Sequence, residues 1–241
     1  LNADSVYTPS APNYTTALDF NATSGEYISL PNSTDFIYGS NDFSISVWAS
    51  VNVTSQRAIF SKGGAGVGNH LLIFFSSNKI NVDFYGSGSN GTFDYTFTLN
   101  KLYHISIVKS GFDVSLYVNG SFEQTKQPNG SVATNIGNTN PQIGKYYSQQ
   151  MNWDGFMSNF AIYNSALTAS QVSTLFNFGT PQTNISFSPT NYYKLDNTTT
   201  GINNTGSLGA TYNGTIVGTN ILQATTPVVV TPSWKIPSAL T

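Results

Sequence analysis

Eleven acidic and nine basic residues carry all the fixed charge in 241 positions, so the groups that could do chemistry can be weighed by name. The glutamates are Glu26 and Glu123, the histidines are His70 and His104, and there is no cysteine. Glycoside hydrolysis needs two carboxyl groups flanking one sugar bond, and neither glutamate has a second acid close beside it in the chain. Neither histidine stands in an HExxH or other metal-ligand spacing. Without cysteine there is no thiolate nucleophile, zinc–thiolate site or disulfide. A Ser-His-Asp triad is not decided by spacing, because its members need not be neighbours in sequence, but nothing in the residues points to one. His104 sits inside a strand-like run, where a structural hydrogen bond is the expected role.

Binding chemistry is better supplied. Tyr146, Tyr147, Gln149, Asn152, Trp153 and Asp154 crowd into one loop-like stretch between two predicted strands, and Tyr85 to Tyr95 make a second stretch around Asn90-Gly91. Aromatic faces stack on sugar rings while amides, carboxylates and hydroxyls read the sugar hydroxyls. The candidate ligand-binding residues are therefore Tyr146, Tyr147, Asn152, Trp153, Asp154, Tyr85 and Tyr95. The competing expectation is that Trp153 and one tyrosine cover the end of the fold as an apolar lid.

These residues must be positioned by an unusual chain. Charged residues make up 8% of it, against roughly 25% in an average soluble domain, while 27 Asn, 30 Ser and 28 Thr supply neutral solvation. A net charge of -2 with no basic cluster argues against nucleic acid as a partner. The apolar runs Leu71 to Phe75 and Pro227 to Val230 fall well short of the roughly 18 residues that cross a bilayer, so no membrane insertion is expected. High aromatic content in strand-length patches argues against disorder.

The periodicity is that of an all-β protein. Phe43, Ile45, Val47 and Ala49 alternate with Ser44, Ser46, Trp48 and Ser50, and Trp48 is assigned to the core. Val114, Leu116 and Val118 oppose Ser115 and Tyr117, and the strand ends at Asn119-Gly120, which suits a type I′ hairpin turn. Leu71 to Phe75 is apolar on both faces and predicts a strand covered twice. One helix is signalled over 168–178: Thr168 and Gln171 form a capping box, Val172, Leu175 and Phe176 an apolar stripe, and Gly179 a terminator. The whole fits a two-sheet antiparallel sandwich with one short helix.

Six segments in order resemble the laminin-G-like (concanavalin A-like lectin-glucanase) jelly roll. They are Ala17-Leu18-Asp19-Phe20 with Glu26-Tyr27-Ile28-Ser29-Leu30, Phe43 to Trp48, Ile59 to Gly63, Tyr103 to Val108, Leu116 to Gly120, and the closing run from Ile143 through Asp154-Gly155-Phe156-Met157 and Phe160 to Asn164 into the helix. The resemblance covers about residues 15–179. Residues 1–14 are expected to be an extended segment. Residues 180–222, with Tyr192-Tyr193-Lys194-Leu195-Asp196 and Tyr212-Asn213-Gly214-Thr215-Ile216-Val217, either begin a second repeat or complete the first. Residues 223–241, with Pro227, Pro232 and Pro237, read as an extended tail or linker.

Enzymes of this fold carry their paired acids close together on one strand, and the chain lacks any Glu-x-Asp-x-x-Glu arrangement, so it is not expected to be an enzyme. The resemblance implies one structural Ca²⁺, for which Asp19, Asp42 and Asp154 are the candidate ligands; none lies in a Dx[DN]x[DN]G loop. Eleven Asn-x-Ser/Thr sites are either glycosylation acceptors or turn residues. The expected function is a non-catalytic recognition or adhesion module, binding a glycan or a partner protein at an extracellular or virion surface. The composition is also similar to that of virion structural proteins of environmental tailed phages. The alternative is accordingly a structural subunit of a capsid decoration, fibre or filament, in contact with copies of itself through the tail.

Overall fold

The strands are short because each alternating run is cut by Gly, Asn and Ser, and they assemble into two stacked antiparallel sheets. The computed structural model describes residues 16–33, 41–63, 70–84, 90–127, 139–147, 151–179, 187–219 and 221–224. Tyr85, residues 1–14 and residues 225–241 of the expected tail lie outside them.

In chain order the strands are β1 Ala17–Phe20, β2 Tyr27–Ser29, β3 Phe43–Ala49, β4 Arg57–Lys62, β5 Leu71–Ser76, β6 Lys79–Phe84, β7 Asn90–Thr92 and β8 Tyr103–Ser110. They continue as β9 Asp113–Val118, β10 Ser121–Lys126, β11 Gln142–Ile143, β12 Gly155–Tyr163, β13 Asn191–Tyr193, β14 Thr215–Val217 and β15 Leu222–Ala224. The first sheet runs β10-β9-β8-β3-β12-β1-β15, with β13 also pairing β12; the second runs β14-β2-β11-β4-β5-β6-β7.

The period-two pattern places its apolar half between the sheets. Phe43, Ile45, Val47 and Ala49 of β3 meet Ile28, Phe60, Ile73, Val82 and Ile143 of the second sheet in one core. The hairpin after β9 forms at Asn119-Gly120 with φ of 50° and 77°, the positive values that dipeptide favours. A Cβ on Gly120 would stand 2.9 Å from the Phe176 side chain, so that turn also packs under the helix.

Helix α1, Ala169–Phe176, has the expected capping box: Gln171 N donates to Thr168 Oγ1 and Thr168 N donates to Gln171 Oε1 at 2.8 Å. It ends before Gly179, because Asn177 takes the left-handed conformation (φ 44°) and a single 3-10 turn, Asn177–Gly179, follows. Its buried Val172 and Leu175 pack on Val108, Tyr117, Ala161 and Tyr192, closing the outer face of the first sheet. Trp48 is buried on that outer face rather than between the sheets, stacked on Phe176 with ring centres 5.7 Å apart.

Residues 187–224 are woven into the same two sheets. β13 joins β12, β14 joins β2 and β15 joins β1, while Tyr193, Leu195 and Ile221 enter the main core. Asn204 organises the turn between β13 and β14: its Oδ1 accepts from the Tyr192 and Gly206 N–H groups, and its Nδ2 donates to the Gly209 carbonyl.

His104 shows what burial does to a polar group under this helix. Its Nε2 is 2.8 Å from Ser46 Oγ, its Nδ1 has no partner among the described residues, and desolvation pushes its pKa down to about 3. The unfolded chain therefore takes up this proton first as pH falls below about 6.5. Stability is complete above that value and declines toward pH 3 by at most about 1.4 kcal/mol per pH unit from this group. Urea midpoints measured from pH 7 to pH 4 are expected to fall, and the His104→Gln variant is expected to show a shallower slope over the same range.

Candidate functional site

The helix packs on the outer face of one sheet, and the outer face of the other carries a polar row beside an apolar cluster of Ala58, Leu72, Phe74, Tyr146 and Met151. Because Ile28 and Ile143 point into the core, Ser29 and Gln142 point outward. Register aligns them: Thr215 faces Ser29, Ser29 faces Gln142, Gln142 faces Ser61, Ser61 faces Leu72 and Leu72 faces Asp83. A polar row thus crosses β14, β2, β11 and β4, with Ser61 buried, and is interrupted by buried Leu72 on β5 before Asp83 on β6. Gln142 is buried, and its Oε1 has no hydrogen-bond partner among the described residues.

The stretch between β11 and β12 lies along this face. Ser61 Oγ donates to the Lys145 carbonyl at 2.7 Å, and Ala58 N donates to the Met151 carbonyl at 2.7 Å, so both ends of the excursion are tied to β4. Lys145 Nζ stands 4.4 Å from the centre of the Tyr27 ring. Tyr146 packs with Met151 over Ala58, Leu72 and Phe74, the outward half of the strand expected to be covered on both sides. Its hydroxyl is 3.3 Å from His70 Nδ1, and His70 Nε2 is 3.2 Å from Asp83 Oδ2. This Asp83–His70–Tyr146 chain anchors the segment to β6. Tyr147, next along, is 49% exposed.

The other residues expected at a ligand site are placed elsewhere. Trp153 is 1% exposed and belongs to the inter-sheet core, lining a small cavity with Ala49, Phe75, Phe97 and Tyr103 at the end of the sandwich. Asn152 is buried, and its amide donates to the Glu26 carbonyl. Tyr95 is half-buried against Phe97 and Tyr103, 4.7 Å and 6.3 Å away by ring centres, on the side of the molecule where Asp94 bonds Gln124 and Lys126 of β10. Burial raises the Tyr95 hydroxyl and the Glu123 carboxyl above their ordinary values. No spacing in the chain marks the Ser29–Gln142–Ser61 row or the Asp83–His70–Tyr146 chain, because both depend on strand register.

Carboxylates fall into separate places. Glu26 precedes β2 near one side of the sandwich, and Glu123 lies on β10 at the edge on the other, so the two glutamates do not face one bond. Of the acids expected at a calcium site, Asp42 and Asp154 are held apart: Asp42 precedes β3, whereas Asp154 bonds Asn52 beyond its far end. The seven residues of β3, about 23 Å of strand, separate them. Asp42 instead accepts from Gly111 N at 2.8 Å and lies near Lys109. Asp19 and Asp154 do act on each other, since the Asp19 carboxyl is raised first by burial, then by Asp154, then by Glu26. Glu26 is fully buried, and its Oε1 has no partner among the described residues. Among the described residues no three histidine or acidic side chains are grouped so that they could hold a metal ion.

Several comparisons bear on this geometry. No curated protein matches the sequence. Among solved structures, a candidate carbohydrate-binding protein from Bacteroides ovatus is 20% identical with a TM-score of 0.66; the match covers 90% of this chain and 61% of that one. The chain thus spans less than two thirds of that protein's length. A heptameric SAP-like pentraxin from Limulus polyphemus is 19% identical with a TM-score of 0.53, covering 67% of this chain and 82% of that one. The binding domain of botulinum neurotoxin serotype G is 18% identical with a TM-score of 0.50, covering 61% and 39%. At these identities the likeness concerns the fold. The family model of the concanavalin A-like lectin/glucanases superfamily matches residues 22–173, more than half of the chain. With the two-sheet sandwich it describes also present, the chain belongs to the concanavalin A-like lectin/glucanase superfamily.

Proposed function

We propose that this chain is a non-catalytic recognition module that binds a neutral glycan on the outer face of its seven-stranded sheet. The observation that carries the proposal is the exposed Tyr147 ring beside the anchored Tyr146, with half-buried Ser29 and exposed Thr215 on the same sheet face and Gln142 and Ser61 buried behind them in the same register row. Short hydroxyl and amide groups read sugar hydroxyls, and an exposed aromatic ring offers a stacking platform. Glu26 and Glu123 stand apart and so do not form with each other the carboxyl pair that hydrolysis would need. A solved relative described as a candidate carbohydrate-binding protein accords with this reading. Display at an extracellular or virion surface suits a chain with 8% charge, which gains little electrostatic steering toward charged partners.

An assembly role draws on a different observation: Phe112 at the β8–β9 turn and Phe122 on edge strand β10 are 71% and 55% exposed, apolar surface suited to a neighbouring subunit. One set of measurements separates the readings. Neutral oligosaccharides on an array are expected to be bound, and Tyr147→Ala to weaken binding about tenfold, the loss of one good stacking contact. A blank array together with concentration-dependent self-association in sedimentation would replace the glycan reading with the assembly one.

A further inference from the structure

The six residues of β10 make the longest strand at any sheet edge; β7, β14 and β15 have three each. Among the described residues β10 pairs only with β9, so its other side presents backbone N–H and C=O groups to solvent, a template for a further strand. The bulge at Glu123 limits the regular stretch to Gln124, Thr125 and Lys126, which face Leu116, Ser115 and Val114. Because Leu116 and Val114 enter the core, Gln124 and Lys126 turn to the core side, where both bond Asp94, while Thr125 turns outward onto Ser115. Phe122 lies against Tyr117 at one end of this edge. At the other end Gln127 Nε2 donates to Asp113 Oδ1 at 2.6 Å, so Phe112 stands just beyond. The two most exposed large apolar side chains of the described residues thus flank one free edge.

We propose that a second copy of this chain pairs with that edge, β10 against β10, antiparallel about a twofold axis through Thr125. This register sets Gln124 opposite Lys126 of the second copy and Thr125 opposite its own counterpart, so that opposed residues share a face. A slip of one residue would oppose core-side to outward side chains. Centring the axis on Lys126 would oppose two ammonium groups, and centring it on Gln124 would draw the bulge into the pairing. With the axis at Thr125, Phe122 of each copy reaches the end of β10 beside which Phe112 of the other stands, about two strand spacings or roughly 10 Å away. Two phenylalanine side chains fill that gap, once on each side of the axis, as an isologous interface requires. A net charge of -2 leaves little repulsion between copies. The edge belongs to the other sheet from Tyr147, and the pairing does not rest on the glycan reading.

Sedimentation velocity of the full chain tests this. A monomer–dimer equilibrium is expected, with Kd of roughly 1–100 μM for so short an edge. Phe122→Ser is expected to weaken it more than tenfold by removing both apolar contacts. Thr125→Lys and Thr125→Glu each put like charges opposite one another and are each expected to weaken it severalfold, whereas an equal mixture of the two is expected to associate again as a heterodimer. Thr125→Cys, in a chain with no other cysteine, is expected to close a disulfide between copies under mild oxidation, and Ser173→Cys on the exposed side of α1 to close none. A single monomeric species across this range, a dimer that Phe122→Ser and both charge variants leave intact, or a mixture that restores nothing overturns the proposal. Glycan binding through Tyr147 is read separately on the array, and its failure leaves this interface standing.

Discussion

Replacing Trp153 with alanine is expected to lower the free energy of unfolding by about 3–5 kcal/mol, the cost of emptying a large aromatic site in a packed core. Tyr147→Ala, by contrast, is expected to leave it within about 0.5 kcal/mol, as for an exposed side chain without special contacts. Both rings belong to one short segment, and the structure gives them opposite surroundings. Trp153 is enclosed by Ala49, Phe75, Phe97 and Tyr103, while Tyr147 is open to solvent on the far side of the Tyr146 anchor. Denaturant midpoints at constant m distinguish them. A Trp153→Ala protein as stable as the parent would mean that the end of the sandwich is not closed by this ring. Any loss of glycan binding in Trp153→Ala should track unfolding, whereas the loss in Tyr147→Ala should appear in a fully folded protein.

A chain truncated after Gly179 is expected not to fold cooperatively. The family match ends at residue 173, yet Tyr192, Tyr193, Leu195 and Ile221 are buried. Removing these four side chains forfeits about 6–12 kcal/mol at roughly 1.5–3 kcal/mol each, comparable to the total stability of about 5–15 kcal/mol for a typical domain. The truncation would also leave β1 and β2 as bare edges, since β15 and β14 cover them, and an unpaired edge invites aggregation. Circular dichroism melts and sedimentation of the truncated chain read the outcome directly. A sharp transition at the parental midpoint would instead make residues 180–241 a dispensable appendage or the start of a separate unit. Tyr193→Ala in the full chain gives the same information on a smaller scale, with an expected loss of about 3–5 kcal/mol.

Much of the architecture was legible before any coordinates. The alternation of Phe43, Ile45, Val47 and Ala49 with serines placed one half between the sheets because side chains alternate across a strand whatever it pairs with. The Thr168–Gln171 box located the start of α1, since both bonds are made within one turn. Its end came earlier than Gly179 because Asn177 can itself adopt the left-handed conformation that closes a helix. Trp48 read correctly as buried, but the alternation could not say that its burial lies under Phe176 rather than between the sheets.

The candidate sites were less legible, for a reason visible in individual residues. Proximity in sequence grouped Tyr146, Tyr147, Asn152, Trp153 and Asp154, but the excursion from β11 back to β4 sends them to different places: a sheet face, solvent, the core and a carboxylate group. Asp42 and Asp154 looked equivalent as acids next to strands, and β3 holds them at opposite ends. Glu26 has no second acid close beside it in the chain, and the fold brings it near Asp19.

What the amino-acid order determined by itself is therefore local: strand periodicity, the helix cap, the Asn119-Gly120 turn, the shortage of charge, and the poverty of paired acids near one another in the chain. These follow from backbone geometry and side-chain chemistry acting over a few residues. The tertiary structure alone decided which segment covers each sheet face, which aromatic ring meets solvent, how Ser29, Gln142 and Ser61 line up, and which acids lie near Asp19. Each of those depends on register between strands distant in sequence, where a shift of a single residue turns every side chain to the other face.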